Sequence, residues 1–105
     1  MRDVEIESKG GAVVCRLVCE LDHHTAKPIR QKIDERVRAE KPKEVVLDFS
    51  GVGFMDSSGI GLILGRVELC EKIGASLILR GLFGTVGKLI RMSGVGKIKC
   101  IRLDD

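Results

Sequence analysis

The chain has 105 residues, 44% apolar and 31% charged, with 18 Lys and Arg against 15 Asp and Glu, a composition that fits one soluble domain with a continuous core. Three Phe are its only aromatics and its charges alternate in sign along the chain, which argues against a nucleic-acid reader built on base stacking or a basic block. No apolar run approaches the ~18 residues of a membrane span, and Arg2 and Asp3 stand where a signal peptide needs apolar residues, so a cytoplasmic protein with no membrane contact is expected.

Val4 to Glu7 and Ala12 to Cys19 read as two strands of a hairpin, because Gly10 and Gly11 supply the positive φ of a tight turn. From Thr25 to about Glu40, Ile29, Ile33 and Val37 recur every four residues among charged neighbours, which predicts an amphipathic helix. Thr25 is its expected N-cap, Pro28 falls in the first turn, and Lys41-Pro42 ends it. Glu44 to Phe49 is almost continuously apolar, as in a central strand covered on both faces and joined to a parallel neighbour by that helix. A helix from Ser57 to Ile73, a strand from Ser76 to Arg80, a helix from Phe83 to Met92 and a strand from Lys97 to Leu103 complete the chain. The alternation implies an α/β fold in a single domain over residues 1–105, with helices packed on a mixed sheet.

Cys15, Cys19, Cys70 and Cys100 form no Cys-x-x-Cys, and on an extended strand Cys15 and Cys19 would lie more than ~12 Å apart. Free, mostly buried thiols are expected, with neither a disulfide nor a metal site.

The stretch Phe54-Met-Asp-Ser-Ser-Gly-Ile-Gly61 puts two serines and two glycines where a strand gives way to a helix. A phosphate-binding loop does not fit the other glycine-rich turn, Gly81 to Lys88, since Leu82 and Leu89 stand where Gly and Ser or Thr are required. A dinucleotide fingerprint fails at Leu64, the third glycine position after Gly59 and Gly61. A serine hydrolase using Ser57 or Ser58 with His23 or His24 lacks the nucleophile elbow, because Met55 and Asp56 occupy the positions two before the serines. What remains is a serine that receives a phosphoryl group. At a helix N-terminus a phosphate would meet the positive end of the dipole and backbone N–H groups that Gly59 and Gly61 leave unscreened. A plain Ser N-cap is the competing use. Gly59, Gly61 and Gly65 each cost a helix about 1 kcal/mol relative to Ala, so something must come close to it. Two uses stand equal at this point: tight packing on the sheet, or room for a partner above the serine.

Phe54 to Arg66, Glu20-Leu-Asp-His-His-Thr25 and Met92-Ser-Gly94 together resemble the STAS-domain anti-sigma factor antagonists, over about Val4 to Arg102. The resemblance implies a STAS-like fold and a binding switch without catalysis or cofactor of its own. It implies that Ser57 is the phosphoacceptor and Ser58 its unmodified neighbour. It also implies that the unphosphorylated form binds a partner that is both anti-sigma factor and serine kinase, releasing a sigma factor, as in sporulation. A PP2C-type metal-dependent phosphatase would reverse the modification. The partner surface would comprise Asp22, His23, His24, Thr25, Met55, Asp56, Ser58, Gly59, Ile60 and Gly61. A STAS switch in stress response or another signalling complex is the alternative within the fold, and a small serine hydrolase the alternative outside it. The family commonly has Gly where this chain has Cys19, so a positive φ there would be strained. The end at Asp105 leaves little room for a further C-terminal helix.

Overall fold

A computed structural model describes residues 3–104. Strands β1 (Val4–Lys9) and β2 (Ala12–Leu17) form the hairpin, with Gly10 at φ 56° and Gly11 at φ 84° as the turn requires. Helix α1 (His23–Glu40), β3 (Glu44–Asp48), α2 (Ser57–Ile73), β4 (Ser76–Arg80), α3 (Gly84–Ser93) and β5 (Ile101–Asp104) follow. The five strands lie in chain order, β1 antiparallel to β2 and every later neighbour parallel.

Three expectations about element ends are corrected. The N-cap of α1 is Asp22, and Thr25 is the third helical residue; Pro28 therefore sits in the second turn, where its missing N–H removes a bond the His24 carbonyl would otherwise accept. Strand β2 stops at Leu17, because the chain bends at Cys19. Strand β5 begins at Ile101, because Val95–Lys97 winds into a short 3-10 turn after Gly94 at φ 85°. Among the described residues Lys41, at φ 47°, is the one non-glycine in the left-handed region, so Cys19 carries no such strain.

One apolar cluster holds the layers together. It gathers Val13, Cys15 and Leu17 of β2, Val45 and Leu47 of β3, and Leu77 and Leu79 of β4 under Ile29 and Ile33 of α1, Ile63 and Val67 of α2, and Val86 and Ile90 of α3. All three helices thus cover the same face of the sheet. The expectation of a strand covered on both faces holds in burial: Val46 and Ile78 are buried on the opposite face, outside this cluster. That face carries a charge ladder in register across all five strands, Glu5, Arg16, Asp48, Arg80 and Asp104. Arg16 pairs with Glu5 and Arg80 with Asp104, both at 3.3 Å.

The four cysteines are free, with Cys15 and Cys70 buried and Cys19 and Cys100 half-buried. Burial pushes the thiols of Cys15 and Cys70 up to about 12, so both are neutral core groups.

Candidate functional site

Helices α1 and α2 begin side by side at the carboxyl end of the parallel strands, and the two turns leading into them are hydrogen-bonded together. The Leu21 N–H donates to the Phe54 carbonyl at 2.9 Å and the Asp56 N–H to the Leu21 carbonyl at 3.1 Å, a short parallel bridge between Leu21 and Met55. The Leu-Asp-His-His-Thr turn and the serine turn therefore form one surface.

Each helix is capped by a carboxylate. Asp22 Oδ1 accepts from the His24 N–H at 2.8 Å and the Thr25 N–H at 3.1 Å, while Thr25 Oγ1 accepts from the Asp22 N–H at 3.1 Å and donates to the Glu20 carbonyl at 2.7 Å. This reciprocal capping box fixes the turn. The amide bonds from Thr25 and His24, with a smaller contribution from the two neighbouring histidines, hold the Asp22 carboxyl below its ordinary value. Asp56 Oδ1 accepts from the Ser58 N–H at 2.7 Å.

Because Asp56 is the cap, Ser57 is not. It is the first residue of α2, exposed, and its hydroxyl has no partner among the described residues. The half-buried Ser58 likewise leaves its hydroxyl unused. The Gly59 N–H is not free for an anion, since it donates to the Asp56 carbonyl at 3.0 Å.

The glycines divide between the two uses the sequence left open. A Cβ on Gly59 would overlap the side chain of the buried Met55, so Gly59 lets α2 close over its own turn. At Gly61 and Gly65 a Cβ would meet nothing within 4 Å, so packing on the sheet does not account for them. Ser57, Gly61, Leu64, Gly65 and Glu68 follow helical spacing along one outward stripe. Leu64 on that stripe is 46% exposed and Phe54 at its head 50%. Neither was singled out from the sequence, although Leu64 is an apolar residue beside two unexplained glycines, and that was the available signal.

His23 and His24 are exposed with ring centroids 4.0 Å apart, Ile60 is half-buried, and Met55 and Gly59 lie beneath the surface and support it. Between α1 and α2 runs a cleft of about 270 Å³. A larger cavity, about 630 Å³, opens beside Asp48, Ser50 and Phe83, and Ser57 does not line it. Among the described residues neither histidine is hydrogen-bonded to the hydroxyl of Ser57 or Ser58.

The STAS domain family matches residues 3–104. The anti-sigma F factor antagonist of Paenibacillus polymyxa is 38% identical over 95 residues, 90% of this chain and 81% of the relative. The anti-sigma factor antagonist SpoIIAA in its unphosphorylated form superposes with a TM-score of 0.76 at 30% identity, covering 97% of this chain and 87% of that one. The Bacillus cell fate determinant SpoIIAA in the phosphorylated form gives 0.73 at 33% identity, over 97% and 91%. The chain belongs to the STAS-domain anti-sigma factor antagonists of the SpoIIAA type. Among the described residues no helix is long and apolar enough to cross a membrane.

Proposed function

We propose that this chain is a phosphorylation-controlled binding switch with no catalysis of its own. Unmodified, it binds an anti-sigma factor that is also a serine kinase, and so frees a sigma factor; phosphorylation at Ser57 releases it, and a PP2C-type phosphatase restores it. The reading is carried by one observation: Ser57 is exposed at the first position of α2 with an unengaged hydroxyl, because Asp56 has taken the capping role. Supporting it, Asp22, His23, His24 and Thr25 stand beside Asp56, Ser58, Ile60 and Gly61 through the Leu21–Met55 bridge.

The switch works by charge. Phosphorylation adds about −1.5 to −2 charges at a helix N-terminus, whose dipole tolerates an anion, so the fold itself barely changes. Docking would bury that charge against a surface shaped for a neutral hydroxyl. A relative of the same fold has been solved in unphosphorylated and phosphorylated forms, and this chain superposes on both to a similar degree, in keeping with a local effect.

The test is incubation with a cognate anti-sigma kinase and ATP, with phosphate located by mass spectrometry. Ser58→Ala should be modified and Ser57→Ala should not. Phosphate found on Ser58 alone would reject the assignment, and ester hydrolysis lost in Ser57→Ala would favour a hydrolase.

A further inference from the structure

Strand β1 is an outer strand of the sheet and is hydrogen-bonded to β2 alone. Its register sets Val4 opposite Leu17, and one step further the Val18 N–H donates to the Asp3 carbonyl at 3.0 Å. In an antiparallel ladder hydrogen-bonded and non-hydrogen-bonded pairs alternate, so Asp3, Glu5, Glu7 and Lys9 spend their backbone groups on β2 and Val4, Ile6 and Ser8 turn theirs outward. Among the described residues those outward groups have no partner. An edge of this kind is a template for a further strand, and native edges are blunted by a Pro or a bulge. Strand β1 has neither, over six residues in unbroken register.

Beside the edge a groove of about 460 Å³ lies between β1 and α1. Val4 and Ile6 line it from the strand, and Lys32, Glu35, Arg36, Ala39 and Glu40 from the helix. Strand and helix are tied together there: the Ser8 hydroxyl donates to Glu40 Oε1 at 2.6 Å and accepts from Arg36 Nη1 at 3.0 Å. A strand added to β1 would point alternate side chains to one face, and on the helix side those side chains enter this groove.

We infer that this edge is a docking site for an extended segment of a protein partner, which joins the five-stranded sheet as a sixth strand. Its alternate apolar side chains lie in the groove against Val4 and Ile6, and its neutral or basic ones lie on the open face beside Glu5 and Glu7. Charge argues against a second copy of this chain as the occupant. Antiparallel pairing of β1 with its copy about Glu5, Ile6 or Glu7 sets carboxylates opposite each other across the new seam. The groove lining itself is balanced, with Glu35 and Glu40 against Lys32 and Arg36, so apolar fit and backbone pairing choose the segment. Neither Ser57 nor any residue of the Leu-Asp-His-His-Thr turn lines the groove, and the inference does not depend on the proposed switch.

The experiment titrates the full chain with a short synthetic peptide that alternates Val with Thr and Lys, and follows amide hydrogen exchange residue by residue. Binding should slow exchange at Val4, Ile6 and Ser8, while Glu5 and Glu7, already bonded to β2, change little. A peptide of the same composition with its Val residues clustered should bind roughly tenfold more weakly or worse, and so should the alternating peptide to Ala39→Arg, which fills the groove from an exposed helix position. Thermal unfolding of Ala39→Arg should match wild type and exclude a folding defect. Ser57→Asp should bind the peptide as wild type does. No binding, binding that leaves the Val4, Ile6 and Ser8 amides unprotected, or binding blind to residue order or to Ala39→Arg overturns the inference. Edge amides protected in the chain alone, at a dimeric mass, overturn it in favour of a second copy. None of these outcomes touches the response of anti-sigma factor binding to Ser57→Asp, by which the proposed function is judged separately.

Discussion

The two charged regions of this molecule are built on opposite plans. On the open sheet face every charge of the ladder faces its opposite on the next strand, Glu5 to Arg16 to Asp48 to Arg80 to Asp104. At the helix ends His23, Lys27 and Arg30 of α1 form one wall of a cleft whose other wall is Ser58, Gly61 and Leu62 of α2. Both are solvent-facing, and both contribute to a net charge of only +3. The difference is in what each has left to offer. A ladder whose charges answer one another presents little net field to a partner, and it also protects an otherwise bare sheet. The helix ends, each capped by a carboxylate, keep two unused serine hydroxyls and an open glycine stripe.

The strongest way to break the comparison is to change the charge at the helix ends. Phosphorylated protein should bind the anti-sigma factor about a thousandfold more weakly than the unmodified chain, since an unpaired buried charge costs several kcal/mol and ~1.4 kcal/mol is a factor of ten. Ser57→Asp should lose a large part of the same affinity and Ser57→Ala little. Amide spectra should change around Ser57 alone; shifts spread through the sheet to α3 would indicate a global rearrangement instead.

A third charged group, inside the molecule, sharpens the contrast. Arg66, 4% exposed, lies with its Nε 2.8 Å from Asp34 Oδ1, while its Nη2 donates to Oδ2 at 3.2 Å and its Nη1 to the Leu62 carbonyl at 3.3 Å. The Nε contact is close but poorly aligned as a hydrogen bond, so the Nη2 bond and the charges hold the pair. It ties the middle of α1 to the middle of α2, below the two turns of the site. Asp34→Ala should destabilise the fold by about 3 kcal/mol in chemical denaturation, because it strands a buried guanidinium. A loss below about 1 kcal/mol would mean that water reaches Arg66.

Much of this was legible in the sequence, for reasons particular residues supply. Strand β4 and helix α2 begin and end where periodicity and flanking glycine put them, and the paired glycines of the hairpin have the predicted φ. The start of α1 was misjudged because Thr25 and Asp22 share the capping: side chains reaching in both directions give two plausible caps three residues apart. The continuous apolar run of β3 pointed to burial on both faces, as found, but such a run cannot say what lies above it. Register sets Val46 between Val14 and Ile78, with the row of Arg16, Asp48 and Arg80 two residues along the strands. Of the site, the serine, its capping aspartate and the neighbouring turn were readable as a motif. Pairing was not, because whether Lys27 or Arg30 has a partner depends on which helices lie side by side.

The glycine stripe allows a smaller test. Gly61→Ala should raise stability by up to ~1 kcal/mol, since helix propensity improves and the new methyl meets nothing. The same variant should bind the anti-sigma factor less well if a partner surface lies against that stripe. Gly59→Ala, which collides with Met55, should instead lose stability. Equal stability in the two variants would remove the distinction between a glycine kept for the fold and one kept for the surface.

The smallest effect belongs to the ladder. Arg16 and Glu5 are 3.3 Å apart with side chains 52% and 39% exposed, so water screens the pair and two flexible side chains lose freedom to hold it. Such pairs contribute about 0.2–1 kcal/mol, and Arg16→Ala should cost no more than that in denaturant midpoints, with the difference shrinking as salt is added. Removing one rung also leaves Glu5 and Asp48 without the cation between them, so part of any loss is repulsion relieved at high ionic strength. Its effect on anti-sigma factor binding should be nil, because the ladder lies on the face away from the helices. If Arg16→Ala weakened that binding as Ser57→Asp does, the ladder and the helix ends would be parts of one binding surface, and the contrast between the two regions would have to be given up.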